Sequence, residues 1–203
     1  MFRRRFSVVR TGVYNQTMPR IALAILALSL ASFSYGAEPV LDNDRVSVWD
    51  TMQALPPAQH DFVTVSLVHK GTAHFGHQGE APGGSGERRV VVELKDHALP
   101  PIANTSGYPL AFPRPHARKL LENDKVVVWD YVWRPHDPSP MHFHDKDALV
   151  VFEATGALQS TTPDGKTTVN ETTFGDIRFN RRDRTHTELL LRGRGRAVIT
   201  ELK

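Results

Sequence analysis

The sequence predicts an all-β fold, and three observations carry that prediction. Short runs rich in Val, Ile, Thr and aromatic residues recur along the chain, at 45–49, 62–69, 88–94, 126–133, 148–153, 167–170, 176–180, 185–191 and 197–202. Turn signals separate them, among them Thr155-Gly156, Pro163-Asp164-Gly165 and Arg192-Gly193. Beyond residue 36 no segment sustains the 3.6-residue apolar period of an amphipathic helix. Many short strands joined by tight turns imply a sandwich or a barrel.

The chain has 203 residues, 40% of them hydrophobic, which suffices for one large or two small packed domains. It has no cysteine, which excludes disulfides, zinc–thiolate sites and thiol nucleophiles. Residues 1–36 carry the layout of a secretory signal peptide. Arg3, Arg4, Arg5, Arg10 and Arg20 precede the apolar run IALAILALSL, and small residues follow it. The run ends near Phe33, short for a membrane span. Cleavage is expected after Gly36, with Met18 an alternative start. Removing 1–36 removes five arginines and no acid, which leaves 20 Lys+Arg against 22 Asp+Glu and a net charge of −2. The high whole-chain pI is therefore no argument for nucleic-acid binding. The expectation is an exported protein, periplasmic in a Gram-negative host, with no membrane partner after cleavage.

The chain is written twice. LDNDRVSVWD at 41–50 and LENDKVVVWD at 121–130 share seven of ten residues, and RRVVVELK at 88–95 and RAVITELK at 196–203 share five of eight. Two ordered echoes indicate an internal duplication. The offsets are 80 and 108, so the first copy lacks 28 residues between its opening and closing strands. Trp49 and Trp129 hold matched places, which argues for packing. Segment 96–119 carries five prolines and reads as a linker. His60, His69, His74 and His77 of the first copy form no His-x-His pair and read as surface or loop residues.

The second copy holds the chemistry. In a strand, positions i and i+2 share a face, so His142 and His144 can point together while Phe143 points away. Two imidazoles on one face make most of a facial metal site, and His186, at the head of a later strand, is the candidate third ligand. The stretch MHFHDKDALVVFEATG, followed by GDIRFNRRDRTH, resembles the two sequence motifs of the cupin superfamily. The first motif runs glycine, His-x-His, glutamate, glycine, and the second runs glycine, Pro-x-Gly, histidine. The matches fall at His142, His144, Gly156, Gly175 and His186.

That resemblance implies two jelly-roll barrels, as in bicupins, the first one reduced. The division would be 37–95, a linker at 96–119, and the metal-bearing barrel at 120–203. The departures are specific. Ala148 and Leu149 stand where the motif has its glutamate, Arg181-Arg182-Asp183 replaces Pro-x-Gly, and His136 replaces the first glycine. The resemblance thus implies a three-histidine site for one divalent ion (Fe, Mn, Ni or Zn), as in thiol dioxygenases and diketone-cleaving dioxygenases. Glu188, two residues beyond His186, and Asp147, beside the empty glutamate slot, are the candidate fourth ligands. Among the arginines at 178, 181, 182 and 184, Arg178 and Arg182 are candidate clamps for a substrate carboxylate or phosphate. Tyr131 and Trp133 are candidate pocket walls.

Two functions fit this reading. One is a metal-dependent enzyme acting on a small organic molecule, most directly a dioxygenase, with isomerase or lyase chemistry as a variant. The other is a non-catalytic bicupin that binds a small molecule or metal. The first copy is then expected to cover the edge of the barrel or to mediate a homodimer.

Overall fold

The structure, a computed structural model, describes residues 38–203. The export segment expected at 1–36 lies outside them. The described residues form fourteen strands and no helix. The first copy contributes β1 (Leu41–Asp42), β2 (Val46–Thr51), β3 (Phe62–Ser66), β4 (Ala73–Gly76) and β5 (Arg89–Leu94). The second contributes β6 (Ala117–Glu122), β7 (Val126–Trp133), β8 (His142–His144), β9 (Asp147–Phe152), β10 (Gly156–Thr161), β11 (Thr167–Thr172), β12 (Ile177–Asn180), β13 (Arg184–Gly193) and β14 (Gly195–Leu202).

These strands build three antiparallel sheets. The second copy makes a five-stranded sheet, β12-β9-β14-β7-β6, and a four-stranded sheet, β11-β10-β13-β8. The two enclose a core of Trp129, Tyr131, Trp133, Val150, Phe152 and Ile199 from the first and Leu158 and Leu190 from the second. This is a jelly-roll barrel.

The first copy is one five-stranded sheet, β1-β2-β5-β3-β4, and its order repeats β6-β7-β14-β9-β12 strand for strand. The register repeats as well. Val46 opposite Leu94 and Trp49 opposite Val91 recur as Val126 opposite Leu202 and Trp129 opposite Ile199. The turn at Asn43, whose side-chain oxygen accepts from the N–H groups of Arg45 and Val46, recurs at Asn123 with Lys125 and Val126. Arg88 grips Asp50 with a two-pronged guanidinium, and Arg196 grips Asp130 in the same way. What the first copy lacks is the four-stranded sheet.

The two copies pack face to face through equivalent residues. Val46, Val48, Val63, Val65, Val90, Val92 and Leu94 meet Val126, Val128, Leu149, Val151, Val198 and Leu202. The first copy therefore covers a face of the barrel's five-stranded sheet rather than its edge. Strand β9 (DALVVF) is buried throughout because both of its faces are covered. Leu149 and Val151 meet the first copy, while Ala148, Val150 and Phe152 face the barrel interior. Asp147 shares the Leu149 face. Its carboxylate pairs with Arg45 at 2.9 Å, and both side chains are buried.

The equivalent pair with the copies exchanged, Lys125 with Asp61 at 3.0 Å, lies nearer the surface. Breaking a buried pair leaves an uncompensated charge, whereas an exposed pair contributes little. Arg45→Met is expected to cost about 3–5 kcal/mol, and Lys125→Met less than about 1 kcal/mol. Chemical denaturation of both variants checks this, and equal losses would count against the two pairs' different burial as the cause.

Candidate metal centre

The site begins with a register. Strand β8 pairs antiparallel with β13 so that His142 stands opposite His186 and His144 opposite Arg184. Directly opposed residues point to the same side of a sheet, and so do residues two apart on one strand. His142, His144 and His186 therefore share the inner face of the four-stranded sheet, and all three are buried. Phe143 points the other way.

Their Nε2 atoms converge. His144 Nε2 lies 3.1 Å from His142 Nε2 and 3.3 Å from His186 Nε2. Metal–imidazole bonds of about 2.0–2.1 Å put neighbouring ligand nitrogens about 2.9 Å apart at right angles and about 3.4 Å apart in a tetrahedron. The observed separations fall between these limits, and the three ligand atoms form a group able to hold one ion. The Nδ1 of His142 donates to the Pro140 carbonyl at 2.7 Å, so Nε2 is the nitrogen that carries the lone pair, as in a ligating histidine, and here it accepts from Arg114 Nη1 at 2.7 Å.

Burial suits the same task. It pushes the His142 imidazole down to about 3, helped by the Arg114 charge, and lowers His144 and His186 as well, with Arg184 assisting in both. Three neutral imidazoles are what a divalent ion binds.

Two turns keep the backbone shape of the glycines they lack. His136 and Asp183 have φ of 60° and 64°, in the left-handed region that Asp and His visit more readily than most side chains. Asp183 thereby closes the turn that delivers Arg184 and His186, and its N–H donates to the His144 carbonyl at 2.8 Å.

The candidate fourth ligands part company. Glu188 sits beside the centre: its Oε1 is 3.9 Å from His186 Nε2, while Oε2 accepts from Trp133 Nε1 at 3.0 Å and from Arg114 at 3.3 Å. Burial alone would raise its carboxyl, but the charge of Arg114, with the Trp133 hydrogen bond, holds it below its ordinary value. Asp147 is not a ligand. It points out of the barrel to Arg45, because one step along β9 reverses the face. The residue that does face inward is Ala148, so the motif's glutamate position is an apolar wall.

Of the candidate substrate residues, Trp133 lines the pocket at the centre and Tyr131 lies beneath Arg114, its ring 3.9 Å from the guanidinium carbon. Arg178 is on the inner face, but it lies over Phe152 and donates to the Glu171 carbonyl. Arg182 is away from the centre: its N–H donates to Asp147 and its side chain to the Pro100 carbonyl.

The residue that sequence reasoning missed is Arg114, in the segment read as a linker. That segment is irregular until Ala117, yet Phe143 N–H donates to the Pro109 carbonyl and Ala111 N–H to the Phe143 carbonyl, so it docks along β8. Ala111 and Phe112 enter the barrel core, and Arg114 Nη1 reaches 2.7 Å from His142 Nε2. The available signal was the apolar group LAF inside a proline-rich stretch. Together Arg114, Trp133, His144, His186, Asn180 and Glu188 border a pocket of about 40 Å³, room for a few water-sized groups.

The fold and site define a jelly-roll barrel with a buried three-histidine centre of metal-binding type. No protein-family model and no curated protein matches the chain. Among solved structures the chain is similar to cupin-domain proteins. A cupin domain from Bordetella pertussis Tohama I is 25% identical over 46% of this chain and 99% of its own, with a TM-score of 0.41. The polyketide cyclase RemF from Streptomyces resistomycificus is 21% identical over 53% and 78%, with a TM-score of 0.36. A cupin 2 conserved barrel domain protein from Leptotrichia buccalis is 12% identical over 84% and 91%, with a TM-score of 0.43.

The depressed imidazoles predict unusual acid tolerance of metal binding. At pH 5.5 each ordinary histidine, with a pKa of about 6.5, would forfeit about tenfold in affinity to protonation. Here the fall in zinc affinity between pH 7.5 and 5.5 is expected to stay well short of what three such histidines would give, because burial lowers all three in the folded state. Competition titration against a chromophoric chelator measures it, and a fall of several hundredfold would contradict it.

Proposed function

We propose that the chain is an exported cupin enzyme in which one divalent metal ion, held by His142, His144 and His186, acts on a small organic substrate by oxygenase-type chemistry. The observation that carries this reading is the convergence of three neutral, buried imidazoles beside a pocket, with His144 Nε2 3.1 Å from His142 Nε2 and 3.3 Å from His186 Nε2 and all three ligand atoms within 4.8 Å of one another. Three nitrogen ligands leave neighbouring coordination positions open, where iron would bring oxygen and substrate together and zinc, nickel or manganese would polarise a carbonyl for isomerase or lyase chemistry.

The protein's own residues supply the rest. Ala148, Val150, Phe152 and Ile199 give the pocket an apolar wall that limits water. Pro140 fixes the tautomer of His142. Glu188, held by Trp133 and Arg114 beside His186, is positioned to accept a proton from a bound substrate. The reading of export rests on the arginine-rich, apolar and small-residue order of positions 1–36.

Elemental analysis of the exported protein, purified without chelators or a histidine tag, tests the metal. About one ion per chain is expected, and a His142→Ala/His144→Ala variant that still melts cooperatively should lose it. Iron would direct assays to oxygen consumption, and zinc, nickel or manganese to isomerase and lyase substrates. Metal without turnover would favour the binding-protein alternative, and no metal even after reconstitution would overturn the proposal. Intact mass of the periplasmic form should place its first residue at Ala37, and retention of residues 1–36 would overturn the export reading.

A further inference from the structure

The hairpin that joins β13 to β14 reads Arg192-Gly193-Arg194-Gly195-Arg196, and none of these residues enters the metal centre. Its shape is fixed by close packing. Gly193 has φ of 76°, and a Cβ there would lie 2.5 Å from the Thr155 carbonyl oxygen. A Cβ on Gly195 would lie 2.7 Å from Trp133 Cβ. The Arg194 N–H donates to the same Thr155 carbonyl at 2.9 Å. Only glycine permits so close an approach, so the turn presents Arg194 from a fixed backbone. Beside it, a cavity of about 380 Å³ opens between this hairpin, the end of β7 and Lys70 of the first copy. It shares only Trp133 with the pocket at the histidines. Such a volume suits a small organic molecule.

Four cations border this cavity: Lys70, Arg134, Arg194 and Arg196. Arg196 is held from behind. Its Nε and Nη2 donate to Asp130 at 2.9 Å, and Nε lies 3.4 Å from the buried Glu153. This grip leaves Nη1 with no acceptor among the described residues. The other three cations are exposed, and no carboxylate among the described residues pairs with any of them. Asp137, the acid nearest Arg134 in sequence, pairs with His116 at 2.7 Å. The internal repeat supplies a comparison. At the offset of 108, Arg196 corresponds to Arg88, which grips Asp50 in the same way, so that arginine belongs to the shared sheet. At the same offset Arg194 corresponds to Gly86, and at the offset of 80 Arg134 corresponds to Ala54. The same sheet forms in the first copy with neither arginine. Like charges gathered around one concavity repel, and an anion among them offsets the repulsion.

We propose that this cavity is a second ligand site, separate from the histidines, and that it binds a small organic phosphate. A phosphate monoester carries close to two negative charges at neutral pH and offers three strong acceptor oxygens. Arg134, Arg194 and Lys70 supply three cations that no protein group neutralises, and Arg196 supplies a donor already fixed in direction. Val132, Pro135 and Ala154 give the organic part an apolar wall. The site draws on both copies, because Lys70 stands in the first and the three arginines in the second.

Calorimetric titration of the purified protein with glycerol 3-phosphate, and with glycerol as its neutral counterpart, tests this. The phosphate ester is expected to bind at least about tenfold more tightly than glycerol. An Arg134→Gln/Arg194→Gln variant, changed at two exposed positions and checked for cooperative melting, should lose about tenfold or more of that affinity. Lys70→Gln should lose about threefold. Arg192→Gln is the control. It removes the same charge from the same hairpin, but its side chain pairs with Glu171 outside the cavity, and it should change affinity less than about twofold. Glycerol 3-phosphate that binds no better than glycerol, or a loss in Arg192→Gln equal to that in the Arg134→Gln/Arg194→Gln variant, would overturn the site. Cosedimentation with phosphatidate vesicles separates the two sources of a phosphate ester. Capture that depends on Arg134 and Arg194 while the soluble ester fails to bind would overturn the small ligand and assign the cavity to a lipid headgroup.

Discussion

Burial of the β12-β9-β14-β7-β6 sheet on both of its faces is the constraint on which the rest of this structure depends. One face carries valines and leucines that meet the first copy, and the other carries aromatic and aliphatic residues that fill the barrel. Full burial of each such side chain contributes about 1.5–3 kcal/mol, and no polar face is left to let the sheet slip by one residue. A sheet held from both sides makes a rigid floor. The histidine-bearing sheet closes over that floor, so the imidazoles meet at fixed distances instead of fluctuating on a surface.

The two copies share one sheet, and only the second carries the histidine cluster. Both keep the same sheet, down to the turn at Asn43 and Asn123 and the arginine–aspartate grips at Arg88–Asp50 and Arg196–Asp130. Only the second keeps the four-stranded sheet, and β8 and β13 of that sheet bear all three histidines. The first copy thus has no place where a metal could be held by equivalent residues. It has instead become a cover, with its valine face replacing solvent on the outer side of the barrel. The pseudo-symmetric pairs Arg45–Asp147 and Lys125–Asp61 belong to that cover. They show how one aspartate can sit beside a ligand position in sequence and outside the barrel in space.

The pocket shows a second division of labour. The three converging imidazole nitrogens come from the sheet, whose pairing register holds them. The cation beside them comes from an irregular segment docked along β8, where Tyr131 and Phe112 hold the guanidinium. Neutral, desolvated imidazoles and a buried guanidinium stand within hydrogen-bonding distance because Glu188 offsets part of the positive charge and Pro140 holds the tautomer.

The sequence by itself determined the all-β class, the duplication and the three histidines. Each is written in local pattern: alternating β-branched runs, repeated words, and a His-x-His whose two-residue step survives in any strand. It also marked the nine strands that are rich in Val, Ile, Thr or aromatics. Strands such as β8, three residues long, and β10 (GALQST) carry no such signal, because neighbours rather than propensity make them strands. Tertiary structure alone decided that Asp147 turns away while Glu188 stays, that Arg182 leaves the centre, and that Arg114 enters it. Those outcomes depend on which face of a strand is covered and on which segment docks against a free edge. Both are set by contacts between residues far apart in the chain, and no local pattern records them.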